Sequence, residues 1–387
     1  MRTRVSRWFA LACAVGLFHA IPGGASAAVT QNVAEGIPAF DHVFVIVLEN
    51  ESLSKTWLTP GTYLNSLLSH GAFAAQYYGA SHLSADNYIA MTSGQMPSPL
   101  FNTDCLDWSK CETWEQSRPD GGVSIADQID TAGKTWKAYM DEMGTPCKHP
   151  SPDALTSYNA DPNQAGYATR HNPFVYYPPV VNRQGYCDAH VVDYSQLTAD
   201  LQSNTPNYVF ISPDTCHDGH DSPCTGDDRW GPGGAQGGLA SANAWMSAEV
   251  PKILGSPAFT DPGVSSVLFI TTDEASTSDP TGCTTGSLTS GATPGTCASG
   301  IPAAGVDGGG LIGLLAIGSP AAHVATNTTT ATPYDHLSLL RTVEDGLGLG
   351  DVSPPSGSTV VFQDGAGHLN EAGSPLEHAM ATLFATS

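Results

Sequence analysis

Carboxylates follow three apolar runs in this chain, and the recurrence suggests chemistry. Val43–Leu48 runs into Glu49-Asn50, and Tyr208–Ile211 leads to Asp214. Val267–Ile270 passes through Thr271 and Thr272 to Asp273-Glu274. Uninterrupted apolar runs of this length fit strands buried on both faces of a parallel sheet. Ligands of such sheets bind just beyond the carboxyl ends of the strands. If the three strands share a sheet, their acids converge on one edge, where crowding is costly unless a cation sits among them. The pattern predicts a metal site.

Four more features could join it. Asp214-Thr215-Cys216-His217-Asp218-Gly219-His220-Asp221 holds five candidate ligands within eight residues; its plainer reading is an acidic, disulfide-closed loop. Ser84 precedes a helix expected from about Ala85 to Gly94, and a helix start favours an anion. Taken alone, Ser84 is one serine among many. Arg170 is a cation suited to phosphate in an acid-rich chain, although a surface ion pair explains it equally well. His336 opens a helix expected over 335–346 with Asp335 as its cap, where a histidine needs no further role.

The elements that position these groups read as one α/β arrangement. A helical segment falls at Thr62–Leu68 and a strand at Gly71–Tyr78, and a helix–strand pair covers Val123–Ala132 and Thr135–Met140. An amphipathic helix spans Leu239–Leu254, and Leu311–Ile317 is another buried strand. Residues 141–190, rich in Pro, Asn, Tyr and His, read as a lid-like insert. In it Phe174, Tyr176 and Tyr177 could wall a substrate. Residues 275–310 read as a surface insertion and 351–387 as a C-terminal tail.

Composition narrows the function classes. Residues 1–27 have the pattern of a secretory signal: three Arg, an apolar stretch from Trp8 to Phe18, and Ala25-Ser26-Ala27 for cleavage. Their loss would move the formal charge from −23 to −26 (11 basic minus 37 acidic residues). Such a surface argues against nucleic-acid binding. No segment is long and apolar enough to span a membrane, and a monomer is expected. Eight cysteines follow the signal, an even number that fits an oxidising compartment. Pairing of sequence neighbours gives 105–111, 147–187, 216–224 and 283–297. With no CxxC, a cysteine zinc site is not expected.

Several motifs together resemble one family. They are Glu49-Asn50-Glu51-Ser52, Tyr63-Leu64-Asn65-Ser66-Leu67, His82-x-Ser84-x-x-Asn87-Tyr88 with Thr92-Ser93-Gly94, Asp218-Gly219-His220-Asp221, Thr272-Asp273-Glu274 and His336-Leu337-Ser338-Leu339-Leu340-Arg341. In this order, over roughly residues 40–350, they resemble the phosphoesterase family of secreted acid phosphatases and bacterial phospholipases C. That family lies in the alkaline-phosphatase-like superfamily. The resemblance implies a three-layer α/β/α sandwich with a mostly parallel central sheet, over a phosphoesterase domain at 28–350. It also implies a phosphorylated Ser84, with Arg170 and His171 contacting phosphate or protonating the leaving oxygen. Asn50, Asn87 and His82 would bind substrate, and Glu49, Asp273, Glu274, Asp218, His220, Asp221 and His336 would hold metal. Two departures stand out: Leu83 and Asp86 replace prolines usual beside the serine, and Asp214 stands where Asn is common.

The chemistry agrees with that likeness. A serine hydroxyl needs its alkoxide stabilised before it attacks, and phosphoryl transfer relies on in-line positioning and on cations. With few basic residues, divalent metal must supply much of the positive charge, and Mg, Ca, Mn, Zn or Fe all suit these ligands. The expected reaction is hydrolysis of a small-molecule or phospholipid phosphate monoester, phosphoinositides included; a phospholipase C-type diesterase is the alternative. A Ser-His-Asp hydrolase would want a G-x-S-x-G elbow, absent around Ser84. A disulfide-braced, Ca-binding surface protein fits the 214–228 loop but leaves the acids at the strand ends unexplained.

Overall fold

Alternate residues of the first apolar run face opposite ways, and both ways lead into core. Val43, Val45 and Val47 pack into one hydrophobic cluster, while Phe44, Ile46 and Leu48 pack into another. The computed structural model describes residues 34–80, 82–94, 104–105, 108, 124–151, 166–224, 237–276, 309–349 and 379–385. Ten strands are present among them: β1 (His42–Leu48), β2 (Ala72–Ala74), β3 (Tyr77–Tyr78), β4 (Trp136–Met140), β5 (Val191–Asp193), β6 (Tyr208–Ser212), β7 (Ser266–Thr272), β8 (Leu314–Gly318), β9 (Thr328–Thr330) and β10 (Tyr334–Asp335).

Eight form one sheet in the order β5-β4-β6-β1-β7-β8-β2-β9. The three strands expected side by side are neighbours: β1 pairs in parallel with β6 on one side and with β7 on the other. Only β8 opposes the rest, pairing antiparallel with both β7 and β2. Helices Ser84–Ser93, Ile125–Thr131 and His336–Leu347 cover one face through Tyr88, Ile89, Ile129, Leu340 and Val343. Helices Tyr63–Leu67, Leu197–Ser203 and Gly238–Leu254 cover the other through Leu64, Leu201, Trp245 and Val250. The result is a three-layer α/β/α sandwich with a mostly parallel sheet. Fully burying each large apolar side chain contributes about 1.5–3 kcal/mol, so the sheet edge carrying the acids is rigidly supported.

Two element boundaries differ from expectation. Gly71–Tyr78 is two strands, because the chain turns at Ala75-Gln76 and the Tyr77 carbonyl accepts from the Ile312 and Gly313 amides. β3 therefore leaves the main sheet and pairs with β10, just ahead of His336. The run Leu311–Ile317 becomes a continuous strand only from Leu314. Gly313, at φ 77°, breaks it, and that left-handed conformation suits glycine.

The described part of 141–190 packs inward. Phe174, Tyr176 and Tyr177 are buried, and Phe174 packs on Trp136 and Phe210. These rings therefore give no exposed apolar wall. Two expected disulfides are formed, Cys147–Cys187 and Cys216–Cys224. Cys105 is also disulfide-bonded. Residues 1–27, Cys111, the 283–297 pair, most of 275–310 and most of the C-terminal tail lie outside the described residues. No helix among those described is long and apolar enough to cross a membrane.

Candidate active site

Five acids stand at or shortly beyond the carboxyl ends of adjacent strands: Asp141 after β4, Asp214 and Asp218 after β6, Glu49 after β1 and Asp273 after β7. Ser84 reaches them from the first turn of its helix. Its hydroxyl donates a 2.7 Å hydrogen bond to Glu49 Oε1. His171 Nε2 lies 3.0 Å from the same oxygen, without hydrogen-bond geometry, and Arg170 Nε lies 3.5 Å from it. Across His171, Asp218 Oδ2 is 3.9 Å from Nδ1. Tyr88 stacks on the His171 ring at 5.3 Å and fixes its plane. His220 stands at the rim, half exposed, 3.9 Å from Glu49 Oε2 and 3.5 Å from Asp221 Oδ1.

Electrostatics differ sharply among these buried acids. Burial alone would raise the pKa of Glu49, but the charges of His171 and Arg170 hold its carboxyl well below the usual range. Asp218 goes the other way, pushed well up by burial and then by the charge of Glu49. Asp273 is raised by burial and by Glu274 and Glu49. Burial opposes the charge of Arg170, yet Glu49, Asp104 and Asp218 keep it firmly protonated. A divalent cation would relieve this imbalance.

Ligand atoms of Glu49, His171 and Asp218 lie within 4.8 Å of one another. Glu49 Oε2, Asp218 Oδ2, Asp273 Oδ2 and His171 Nε2 are buried and make no hydrogen bond among the described residues. Buried carboxylate oxygens without donors are what an oxygen-seeking metal requires, so the donor set fits. A second buried group, Asp141, Asp214 and His217, meets the same distance condition, with His217 Nδ1 3.0 Å from Asp214 Oδ1. Asp141 was missed in the sequence, although it too follows an apolar strand.

Four expected site residues are tied by hydrogen bonds into the scaffold around the site. Glu274 Oε2 accepts from the Leu83 amide at 2.9 Å and lies 2.7 Å from His82 Nδ1, so this acid clamps the turn before Ser84. In the clamp, burial lowers the pKa of His82. Asn87 grips the same turn, accepting from the Ala80 amide at 2.8 Å and donating to the Leu83 carbonyl at 3.1 Å. Together they hold Leu83 at φ 104°, a conformation costly for any residue but glycine. His336, expected as a ligand, has both ring nitrogens engaged. Nε2 lies 2.6 Å from the Asp273 carbonyl, which can only accept, so Nε2 carries the proton. Nδ1 then accepts from the Tyr77 hydroxyl at 3.0 Å. That leaves no lone pair for a metal. Gly79 packs against the same carbonyl, where a Cβ would come within 2.8 Å of the oxygen. Asn50 does reach the site: its amide donates to Asp273 Oδ1 at 2.9 Å, and its side chain is 3.4 Å from Glu49 Oε1.

The neutral His336 has a pH consequence. Burial pushes its pKa down to about 4, so between about pH 6.5 and 4 the unfolded chain binds a proton that the folded one refuses. Stability should therefore fall as pH drops through that window. Denaturant titrations at several pH values should show a smaller decline for His336→Asn. Equal declines for variant and wild type would contradict this assignment.

Fold and site together define an α/β protein whose serine, at a helix start, faces buried carboxylates, a histidine and an arginine, a layout able to transfer phosphoryl groups. Residues 59–350 match the Phosphoesterase family, and the chain belongs to it. It is 26% identical over 211 residues to a probable acid phosphatase of Kluyveromyces lactis, covering 53% of this chain and 46% of that protein. It is 25% identical over 202 residues to a phosphatidylinositol-3-phosphatase of Mycobacterium tuberculosis, covering 51% and 57%. The chain thus spans about half the length of the curated relatives it matches. Among solved structures, it is similar to a Vibrio parahaemolyticus protein of the alkaline phosphatase superfamily. The TM-score is 0.49 at 13% identity, covering 81% of this chain and 68% of that one.

Proposed function

We propose that the protein is a metal-dependent phosphomonoesterase of the acid phosphatase type, acting through a phosphorylated Ser84. The hydrogen bond from Ser84 Oγ to Glu49 Oε1 carries this reading, because it sets the hydroxyl proton toward an ionised carboxylate. Ser84 Oγ would attack phosphorus in line, its proton passing to Glu49 Oε1, as the ester oxygen leaves, so that one O–P bond forms and another breaks. The departing oxygen takes up a proton at the rim, where His220 stands. Water then attacks the phosphoserine and returns Ser84 to its hydroxyl form, releasing phosphate. Arg170 would pair with the equatorial oxygens, and Tyr88, stacked on His171, would fix the plane of that ring. Glu49, His171 and Asp218 would hold the metal ion, with Asp273 alongside. A bound ion supplies the charge that this acid-rich edge lacks.

Monoesters are favoured because Arg170 and a bound cation suit a dianionic phosphoryl group, and because Phe174, Tyr176 and Tyr177, the rings expected to wall a diester's second substituent, are buried. The similarity to an acid phosphatase and to a phosphatidylinositol-3-phosphatase makes phosphoinositides reasonable substrates for testing. The two disulfides and the signal-like residues 1–27 support export. Release of nitrophenol from p-nitrophenyl phosphate and bis-p-nitrophenyl phosphate, with Mg, Ca, Mn or Zn added and after chelation, tests the proposal. Monoester turnover that chelation abolishes is expected. A clear diester preference, or no turnover with any metal, would overturn it.

A further inference from the structure

The amides on either side of Ser84 are both paired with carboxylates. Glu274 takes the Leu83 N–H, and Asp104 Oδ1 accepts from the Ala85 N–H at 3.1 Å. Ala85 follows the nucleophile, and its amide is one of those a helix start leaves for an external acceptor. Asp104 comes from a separate stretch of chain. It and the disulfide-bonded, buried Cys105 sit at φ 53° and 52°. Consecutive left-handed residues are strained, and such strain gathers at functional sites. Arg170, whose guanidinium approaches Glu49, also feels the charge of Asp104.

A neutral acceptor would satisfy the Ala85 amide equally well. The carboxylate adds a negative charge beside the place where a phosphoryl group must settle. We propose that Asp104 is a charge-selecting residue of the substrate site: seated on the Ala85 amide, it weakens the hold on dianionic phosphoryl groups more than on monoanionic ones. The inference rests on the phosphoesterase reading. It adds that affinity for monoesters and for free phosphate is deliberately limited, which favours product release.

Asp104→Asn separates charge from capping, because asparagine keeps the Oδ1 acceptor and tolerates the left-handed backbone. Coulomb energy scales with ligand charge, so a gain of about tenfold for a dianion corresponds to about threefold for a monoanion. The full chain, with its metal content measured, would be titrated with inorganic phosphate at a pH where it is mostly dianionic. KM for p-nitrophenyl phosphate and for bis-p-nitrophenyl phosphate would be compared. In Asp104→Asn, the phosphate Kd and the monoester KM should fall about tenfold and the diester KM about threefold, with the smaller part of the effect on kcat. Equal changes for both charges, no change, or weaker binding would overturn the proposal and leave Asp104 as a cap. Asp104→Ala, which removes charge and cap together, should lose the kcat that Asp104→Asn keeps. If the wild type hydrolyses neither ester, the phosphoesterase reading fails, while the phosphate titration still decides the role of Asp104.

Discussion

Ser84→Ala should lower turnover of p-nitrophenyl phosphate by roughly three orders of magnitude or more, as expected when a covalent nucleophile is removed. The change removes one hydroxyl from a buried position, and Glu49 Oε1 keeps Asn50, His171 and Arg170 as neighbours. Loss of a hydrogen bond to a charged acceptor costs about 1–3 kcal/mol, so the variant should fold and hold metal. Wild-type protein quenched in acid during turnover should carry one phosphoryl group on the peptide containing Ser84, and the variant should carry none. Activity within about tenfold of wild type in a verified Ser84→Ala preparation would exclude Ser84 as the nucleophile. The intact serine helix would then be only a phosphate-binding element.

The sheet was readable because its signal is composition along a single strand. Val43–Leu48 has six apolar residues in a row, and such a run has few other fates than a strand covered on both faces. Glu49, Asp214 and Asp273 follow from it, since an acid at a buried strand end needs a reason. Asp141 was open to the same logic after Trp136–Met140, but that run contains Lys137 and looks less buried. Turn geometry left no such trace. Nothing in Ser-His-Leu-Ser announces that Leu83 adopts a left-handed φ, because Glu274 and Asn87, distant or side-chain partners, impose it. His336 is the reverse case: its residue type suggests a ligand, and its role is decided by Tyr77 and the Asp273 carbonyl, which packing supplies. Asp104 stands in a polar stretch with no periodicity, so only the fold shows it against the Ala85 amide.

Metal removal should destabilise the protein, and more at neutral than at acid pH. Asp218, Asp273 and Glu274 have carboxyl pKa values pushed well up by burial and neighbouring charges. Without metal, the folded state binds more protons at these groups than the unfolded chain does above about pH 4. Their contribution therefore worsens as pH rises through the raised values. Glu49 has the opposite sign: its depressed pKa stabilises above the usual carboxylate range and is lost in acid. A cation offsets the first set, so the gap in melting temperature between metal-loaded and chelated protein should widen from about pH 5 to pH 7.5. Saturating metal at about a hundred times Kd is worth about 2.7 kcal/mol, which for a chain of this size is roughly 3 °C. Asp273→Asn removes one of the repelling charges. The metal-free variant should melt no lower than the metal-free wild type at pH 7.5, yet bind metal weakly and lose turnover at least a hundredfold. Thermal unfolding with and without chelator, together with metal content by elemental analysis, reads each of these quantities. A metal-free wild type that melts with the loaded protein at pH 7.5, or an Asp273→Asn variant that keeps full metal and activity, would remove the metal from this edge of the sheet.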